Sequence, residues 1–399
     1  MLKQFFPFYC MIAIFFSAVT NLAYADEFND YALIGLDADI SSGSKKAGIA
    51  IKRGIELAID DINAAGGLNG KRLKLVVRNH RGNPARGIDN IEAFAAMKNL
   101  VAVVGGLHTP VAMAELKTIH KNKILYLSPW AAGTPVIANG FNPSYTFRVS
   151  VRDEYAGGFL IKKAIERGYK KPALFLEQTG WGRSNNKSMT KAIKAHSLGE
   201  PLVQWFNWGV KDLSAKLRHA RAEGADVIML VANSPEGITC IKSMAQLPKN
   251  ERLPIISHWG ITGGDFIEKS EQYLSGIELV FLQTYSFIKP VFADRNAKLV
   301  NAYMAKYKEI DSINHIFAPA GTAHAYDIVH LLAKAAIIAG SLERSKIRDA
   351  MEKIKFHKGV MRDYAPAFTN NRHDALDISD FILAEYDTEG HIVPVRDAD

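Results

Sequence analysis

The chain has 399 residues, 48% of them hydrophobic, with 49 Lys and Arg against 41 Asp and Glu for a formal net charge of +8. The basic excess is modest and spread over helix faces, without a basic stripe or interleaved aromatics. That pattern argues against nucleic-acid binding and leaves a solvated surface that mildly favours an anionic ligand.

In chain order, the first 25 residues carry Lys3, an apolar run from Phe5 to Val19, and Ala23-Tyr24-Ala25 before Asp26. This is the pattern of a cleavable secretory signal peptide, and the run is shorter than the roughly 20 apolar residues a membrane-spanning helix needs. The mature chain is expected to start at Asp26. Loss of Lys3 and Cys10 leaves 48 basic against 41 acidic residues and Cys240 as the single cysteine. No intrachain disulfide can then form, and a chain of this size buries an ample core without one. Cys240 shares a helical segment with Ile238, Ile241 and Met244, which predicts a buried small hydrophobe.

From residue 32 strand and helix signals alternate. A strand at 32–36 precedes RGIELAIDDINAAGGLNGKRLKLVVRNHRGNP, residues 53–84, which reads as helix, glycine turn and strand. Ile51, Ile55, Ile59 and Ile62 share one helical face, Gly66 and Gly67 can close the helix, and Leu73, Leu75 and Val77 alternate with Lys74 and Arg78. A helix at 88–97, a strand at 101–104, a helix at 110–120 and a strand at 124–127 follow. A second series begins after Arg148, with strands at 172–176, 202–206, 227–231 and 254–257 separated by helices. Such alternation predicts two doubly wound α/β lobes with parallel sheets. The remainder, with helices at 291–308, 320–339 and 345–354, has too few strands for a third sheet and is expected to pack on the first two lobes.

Signatures of catalysis are missing: there is no G-x-S-x-G, H-E-x-x-H, C-x-x-C or P-loop, and Gly66-Gly67-Leu68-Asn69-Gly70 follows a helix instead of a strand. His357, His373 and Asp374 fit no standard metal spacing, so neither metal nor cofactor is expected. What remains is a pair of strand-end loops. Thr109-Pro110, directly after a strand and two glycines, reads either as a well-capped helix or as a helix start able to hold a carboxylate. The next strand ends in Ser128-Pro129-Trp130-Ala131-Ala132-Gly133, where small residues allow a ligand to approach the main chain and Trp130 can wall a pocket.

With these motifs the chain resembles the periplasmic branched-chain amino-acid-binding proteins, the type I solute-binding proteins of ABC importers. The likeness rests on RGIELAIDDINAAGGLNGKRLKLVV, VVGGLHTPVA at 103–112, YLSPWAAGTP at 126–135 and TFRVSVRDEYAGG at 146–158. WGRSN at 181–185, the stretch 212–237 and PIISHWGITGGDF at 254–266 continue it. It implies two lobes joined by a three-segment hinge with the ligand cleft between them, the crossovers lying near Ser150, Leu282 and Leu376. Lobe 1 would comprise 26–149 plus 282–376, and lobe 2 would comprise 150–281 plus 377–399. It also implies a periplasmic, non-enzymatic monomer that carries a small-molecule solute to an inner-membrane ABC permease; a periplasmic sensor is the alternative.

By the same resemblance the ligand carboxylate falls to Thr109, Ala131 and Ala132, with Trp181 and Asn233 closing from the second lobe. His108, Trp130, Tyr155 and Trp259 complete the expected lining. Trp259 stands where relatives carry the acid that pairs with a ligand ammonium, and an unpaired buried ammonium costs several kcal/mol. Glu236 and Asp265 are the nearby acids that could replace it. The aromatic lining therefore predicts a carboxylate or amide-like organic solute with a flat or apolar body, in preference to leucine or valine.

Overall fold

The computed structural model describes residues 30–395; the expected signal peptide lies outside the described residues. The first sheet consists of β1 (Tyr31–Ala38), β2 (Arg72–Asn79), β3 (Leu100–Val104), β4 (Tyr126–Ser128) and β5 (Thr146–Arg148). Its order is β2-β1-β3-β4-β5 with every pairing parallel. Between these strands run α1 (Lys45–Ala64), α2 (Pro84–Ala95), α3 (Thr109–Lys121) and the short α4 (Thr134–Ile137). Helix α1 buries the expected isoleucine face. It stops because Gly66 and Gly67 take φ of +103° and +80°, and the Gly67 amide donates to the Ile62 carbonyl at 2.9 Å.

The second series gives α5 (Asp153–Glu166), β6 (Pro172–Glu177), α6 (Gly180–Ala195), β7 (Leu202–Phe206), α7 (Ser214–Ala222), β8 (Val227–Val231), α8 (Ser234–Ala245) and β9 (Ile255–Ser257). A short α9 (Phe266–Ser270) leads to β10 (Leu279–Gln283), a strand not expected from the sequence. The remainder supplies α10 (Ala293–Lys306), α11 (Pro319–Ala339), α12 (Arg344–Met351), a small hairpin β11 (His357–Lys358) and β12 (Asp363–Tyr364), then β13 (Ile382–Tyr386) and β14 (Ile392–Pro394). The second sheet is ordered β14-β13-β10-β9-β8-β6-β7, parallel from β10 through β7 and antiparallel at β13 and β14.

The helix-rich remainder packs on the first lobe. A Cβ at Gly54 of α1 would lie 2.3 Å from the Thr322 carbonyl oxygen, so glycine lets α11 press directly on α1. Its last two strands, β13 and β14, instead join the second sheet. The chain thus crosses between sheets after Arg148, after Gln283 and between Tyr364 and Ile382. Leu282 pairs with Leu383 inside the second sheet, so the second crossover begins beyond Gln283 and not at Leu282.

A buried ion pair joins the first and third crossovers: Arg148 Nε donates to Asp374 Oδ1 at 2.6 Å, both side chains being excluded from solvent. The same guanidinium donates to the Ala131 and Gly133 carbonyls at 3.0 Å each. Ser150 Oγ donates to the Trp130 carbonyl at 2.9 Å, and His324 bridges Thr284 of the second crossover to the Pro129 carbonyl, both contacts at 2.9 Å. Each crossover is therefore fastened to the same 129–133 loop.

Candidate functional site

Loops leaving the carboxyl ends of β3, β4, β6, β7, β8 and β9 converge on one cleft, as open parallel sheets direct them to. The first sheet contributes His108, Thr109, Trp130, Ala131 and Ala132; the second contributes Glu177, Trp181, Trp208, Asn233 and Trp259. Tyr155 lies elsewhere. Because α5 begins at Asp153, the residue two positions on is turned around the helix, and the Tyr155 ring instead packs 5.4 Å from the Arg152 guanidinium.

The carboxylate-holding groups differ from expectation in detail. Helix α3 starts at Thr109 itself with His108 as its N-cap, and no side chain caps it. Thr109 Oγ1 accepts the Gly133 amide at 3.1 Å, which leaves the hydroxyl proton for an external acceptor. The Ala131 amide donates to the Gly106 carbonyl, whereas the Ala132 amide has no acceptor among the described residues. A Cβ at Gly105 would meet the Tyr126 hydroxyl at 2.6 Å, and one at Gly106, where φ is +69°, would meet Ser128 Oγ at 2.5 Å. Those glycines accommodate neighbouring β4; they do not clear a path for ligand.

Tryptophans occupy the centre. Trp130 and Trp259, from opposite lobes, stack at 5.0 Å between centroids and 27° between planes, and His108 meets Trp208 at 5.5 Å. The space left among them is about 10 Å³, room for one water. An outer compartment of about 170 Å³ opens beside it, lined by Asp39, Ser44, Arg81, His108, Trp208 and Glu236 among others. Of the two acids that could replace the one missing at Trp259, Glu236 faces this compartment and accepts the Gly209 amide at 2.8 Å. Asp265 pairs with Lys45 at 3.0 Å and lines neither space.

Three residues not anticipated from the sequence organise this site. Glu177, the last residue of β6, is fully buried and accepts the Asn233 amide at 2.6 Å, the Asn233 Nδ2 at 3.0 Å and the Trp208 indole at 2.5 Å. Burial, with Glu236 nearby, pushes its pKa up to about 8. The visible clue was a charged residue closing the apolar run ALFLE at a strand's carboxyl end. Asp153 Oδ1 accepts the Trp181 indole at 3.2 Å and lies 3.3 Å from His258 Nε2. His258 Nδ1 accepts the Trp259 amide at 2.9 Å, which puts the imidazole proton on Nε2, toward Asp153. One carboxylate thus stands behind two of the three second-lobe tryptophans of the cleft, bonded to Trp181 and facing the imidazole that accepts from Trp259, and the Asp153 amide donates to the Ala132 carbonyl at 2.8 Å.

His373 contacts Glu352 and the Thr146 carbonyl while Asp374 turns to Arg148 and Arg152, so the sequence-distant trio with His357 is not assembled. Cys240 is buried, and burial pushes its thiol up to about 12.

The described residues thus form two α/β lobes joined by three crossovers, with a cleft walled from both sides. The chain belongs to the periplasmic binding protein family, whose model matches residues 33–390. Its members are periplasmic solute-binding proteins of ABC transporters. The Leu/Ile/Val-binding protein homolog 1 of Brucella abortus (strain 2308) is 26% identical over 333 residues, covering 83% of this chain and 85% of that protein. Among solved structures, a periplasmic binding protein type 1 from Bordetella pertussis Tohama I superposes with a TM-score of 0.82 at 21% identity, covering 92% of this chain and all of the other. The substrate-binding protein LivJ from Streptococcus pneumoniae in complex with isoleucine gives 0.74 at 22% identity, covering 92% and 100%. A solute-binding protein from R. palustris in complex with 4-hydroxybenzoate gives 0.75 at 17%, covering 92% and 96%.

Proposed function

We propose that this chain carries a small organic solute with a carboxylate or amide acceptor and a flat apolar body to an inner-membrane ABC permease, closing on it by rotation of the two lobes about the three crossovers. The observation that carries the reading is the pairing of free donors with indoles. The Thr109 hydroxyl and Ala132 amide offer protons to an acceptor, while Trp130, Trp181 and Trp259 offer faces and edges to a ring. No carboxylate stands at Trp259 to neutralise an ammonium, which disfavours aliphatic amino acids.

Closure follows from ordinary linkage: a solute touching both walls binds the closed state in preference to the open one. The solute must part the Trp130–Trp259 stack and take its place. Calorimetry of the mature chain with 4-hydroxybenzoate, benzamide, leucine and valine tests the reading. Aromatic acceptor ligands are expected to bind and the aliphatic amino acids are not; tight, selective leucine or valine binding overturns it.

A further inference from the structure

A cavity lined by both lobes stands apart from the central cleft. It lies on the other side of the Gly43–Gly264 lobe contact, beside the second crossover, and measures about 330 Å³, within the range of small-molecule sites. We propose that it is a second ligand site, for an organic ammonium ion with an apolar body, and that filling it favours the closed arrangement of the lobes.

Two features of the lining point to that chemistry. The first is aromatic and aliphatic: Phe317 and Ile316 from the segment before α11, Phe287 and Ile288 from the crossover, and Tyr386 from the end of β13. Phe317 already lies under cations, with Arg53 at 5.2 Å and Lys46 at 6.0 Å from its ring. Ile288 is 39% exposed and Val291, three residues on, is 79% exposed, so apolar surface continues outward from the cavity along this crossover. The second is the sign of the rim. In a chain with a net charge of +8, this cavity presents Glu268, Glu271 and Glu389 against Lys46 alone among its lysines and arginines. Lys46 is engaged by Glu268, while Glu271 has no cationic partner among the described residues. His391 is held by Asp387 at 3.2 Å and Glu389 at 3.5 Å, and His315 by Asp311 at 2.6 Å. Aromatic faces beside carboxylates are the standard means of holding an organic cation.

The coupling follows from which lobe supplies each wall. Lys46 and the 313–319 segment belong with the first sheet; Glu268, Glu271 and the β13–β14 turn belong with the second. An occupant touching both is lost when the lobes part, so it and the central solute each raise the affinity of the other.

The test is calorimetry of the full mature chain with benzyltrimethylammonium, and with phenylacetate as its anionic counterpart. Saturable binding of the ammonium is expected, weakened roughly tenfold or more in the double variant Glu271→Lys/Glu389→Lys, both exposed positions that the fold does not depend on. Thermal denaturation of the variant should match the parent. Absence of saturable ammonium binding, or binding equal in parent and variant, overturns the proposal. Phenylacetate binding that the double variant leaves intact reports on the central cleft alone, so the two sites stand or fall separately.

Discussion

Glu177 is a buried carboxyl whose folded-state pKa, near 8, exceeds the ordinary value of 4.5. The folded chain therefore holds that proton more tightly than the unfolded chain. Its stabilising contribution is complete below about pH 4.5 and is lost as the pH rises toward 8. Glu177→Gln should flatten the decline of Tm between about pH 5 and about pH 8; Asp37 and Glu115, also pushed up by burial, remain in both proteins, so the difference isolates Glu177. Equal slopes would remove Glu177 from this role. Histidines act with the opposite sign. Burial lowers His80 to about 3 and His108 and His324 to about 4, so they fold neutral and stability is lost as the pH falls from 6.5 toward 4. His324→Gln, which keeps polar groups for Thr284 and Pro129, should make the acid limb shallower in calorimetric melts at about pH 7 and about pH 5.

At the scale of elements, the Arg148–Asp374 pair fastens two crossovers to the 129–133 loop. Asp374→Ala leaves a guanidinium buried without its carboxylate and should lower stability by about 3–5 kcal/mol in denaturant titrations. A change under about 1 kcal/mol would mean that the carbonyl contacts of Arg148 suffice. Elements of this kind differ in how plainly the sequence announces them. Helix α1 and strand β2 show because their apolar periods are clean and glycines stop the helix. β10, β13 and β14 do not: β13 and β14 join the second sheet from a distant part of the chain, β10 is held between β9 and β13, and tertiary pairing selects them as strands. Helix α6 begins at Gly180, since Gly182 leaves no side chain to clash with the Glu177 carbonyl, and this places Trp181 in its first turn. The site is legible where a motif carries it, as at His108, Thr109 and 130–132. It is illegible where a residue works through another, as Asp153 works through His258 on Trp259.

Across the whole molecule, the lobes meet through the Trp130–Trp259 stack and through Lys45–Asp265 and Lys46–Glu268 pairs. Exposed ion pairs contribute about 0–1 kcal/mol each, so the buried indoles dominate closure in the absence of solute. Trp259→Ala should cost about 3–5 kcal/mol in stability and shift the free protein toward open forms. Small-angle scattering would register a larger radius of gyration for the variant than for the parent; identical radii would show that the stack does not hold the lobes together.

The common attachment of the crossovers to the 129–133 loop makes the two walls of the cleft unequal in time. Under the proposed closure, rotation about the crossovers would leave the Thr109–Ala132 wall as it was and carry Trp181 and Trp259 toward or away from it. Arrival of a solute would then be governed by the standing first wall, and departure by how long the second stays shut. Substitutions at Thr109 should act mainly on the association rate and those at Trp181 or Asp153 mainly on the dissociation rate, a division that stopped-flow tryptophan fluorescence can resolve.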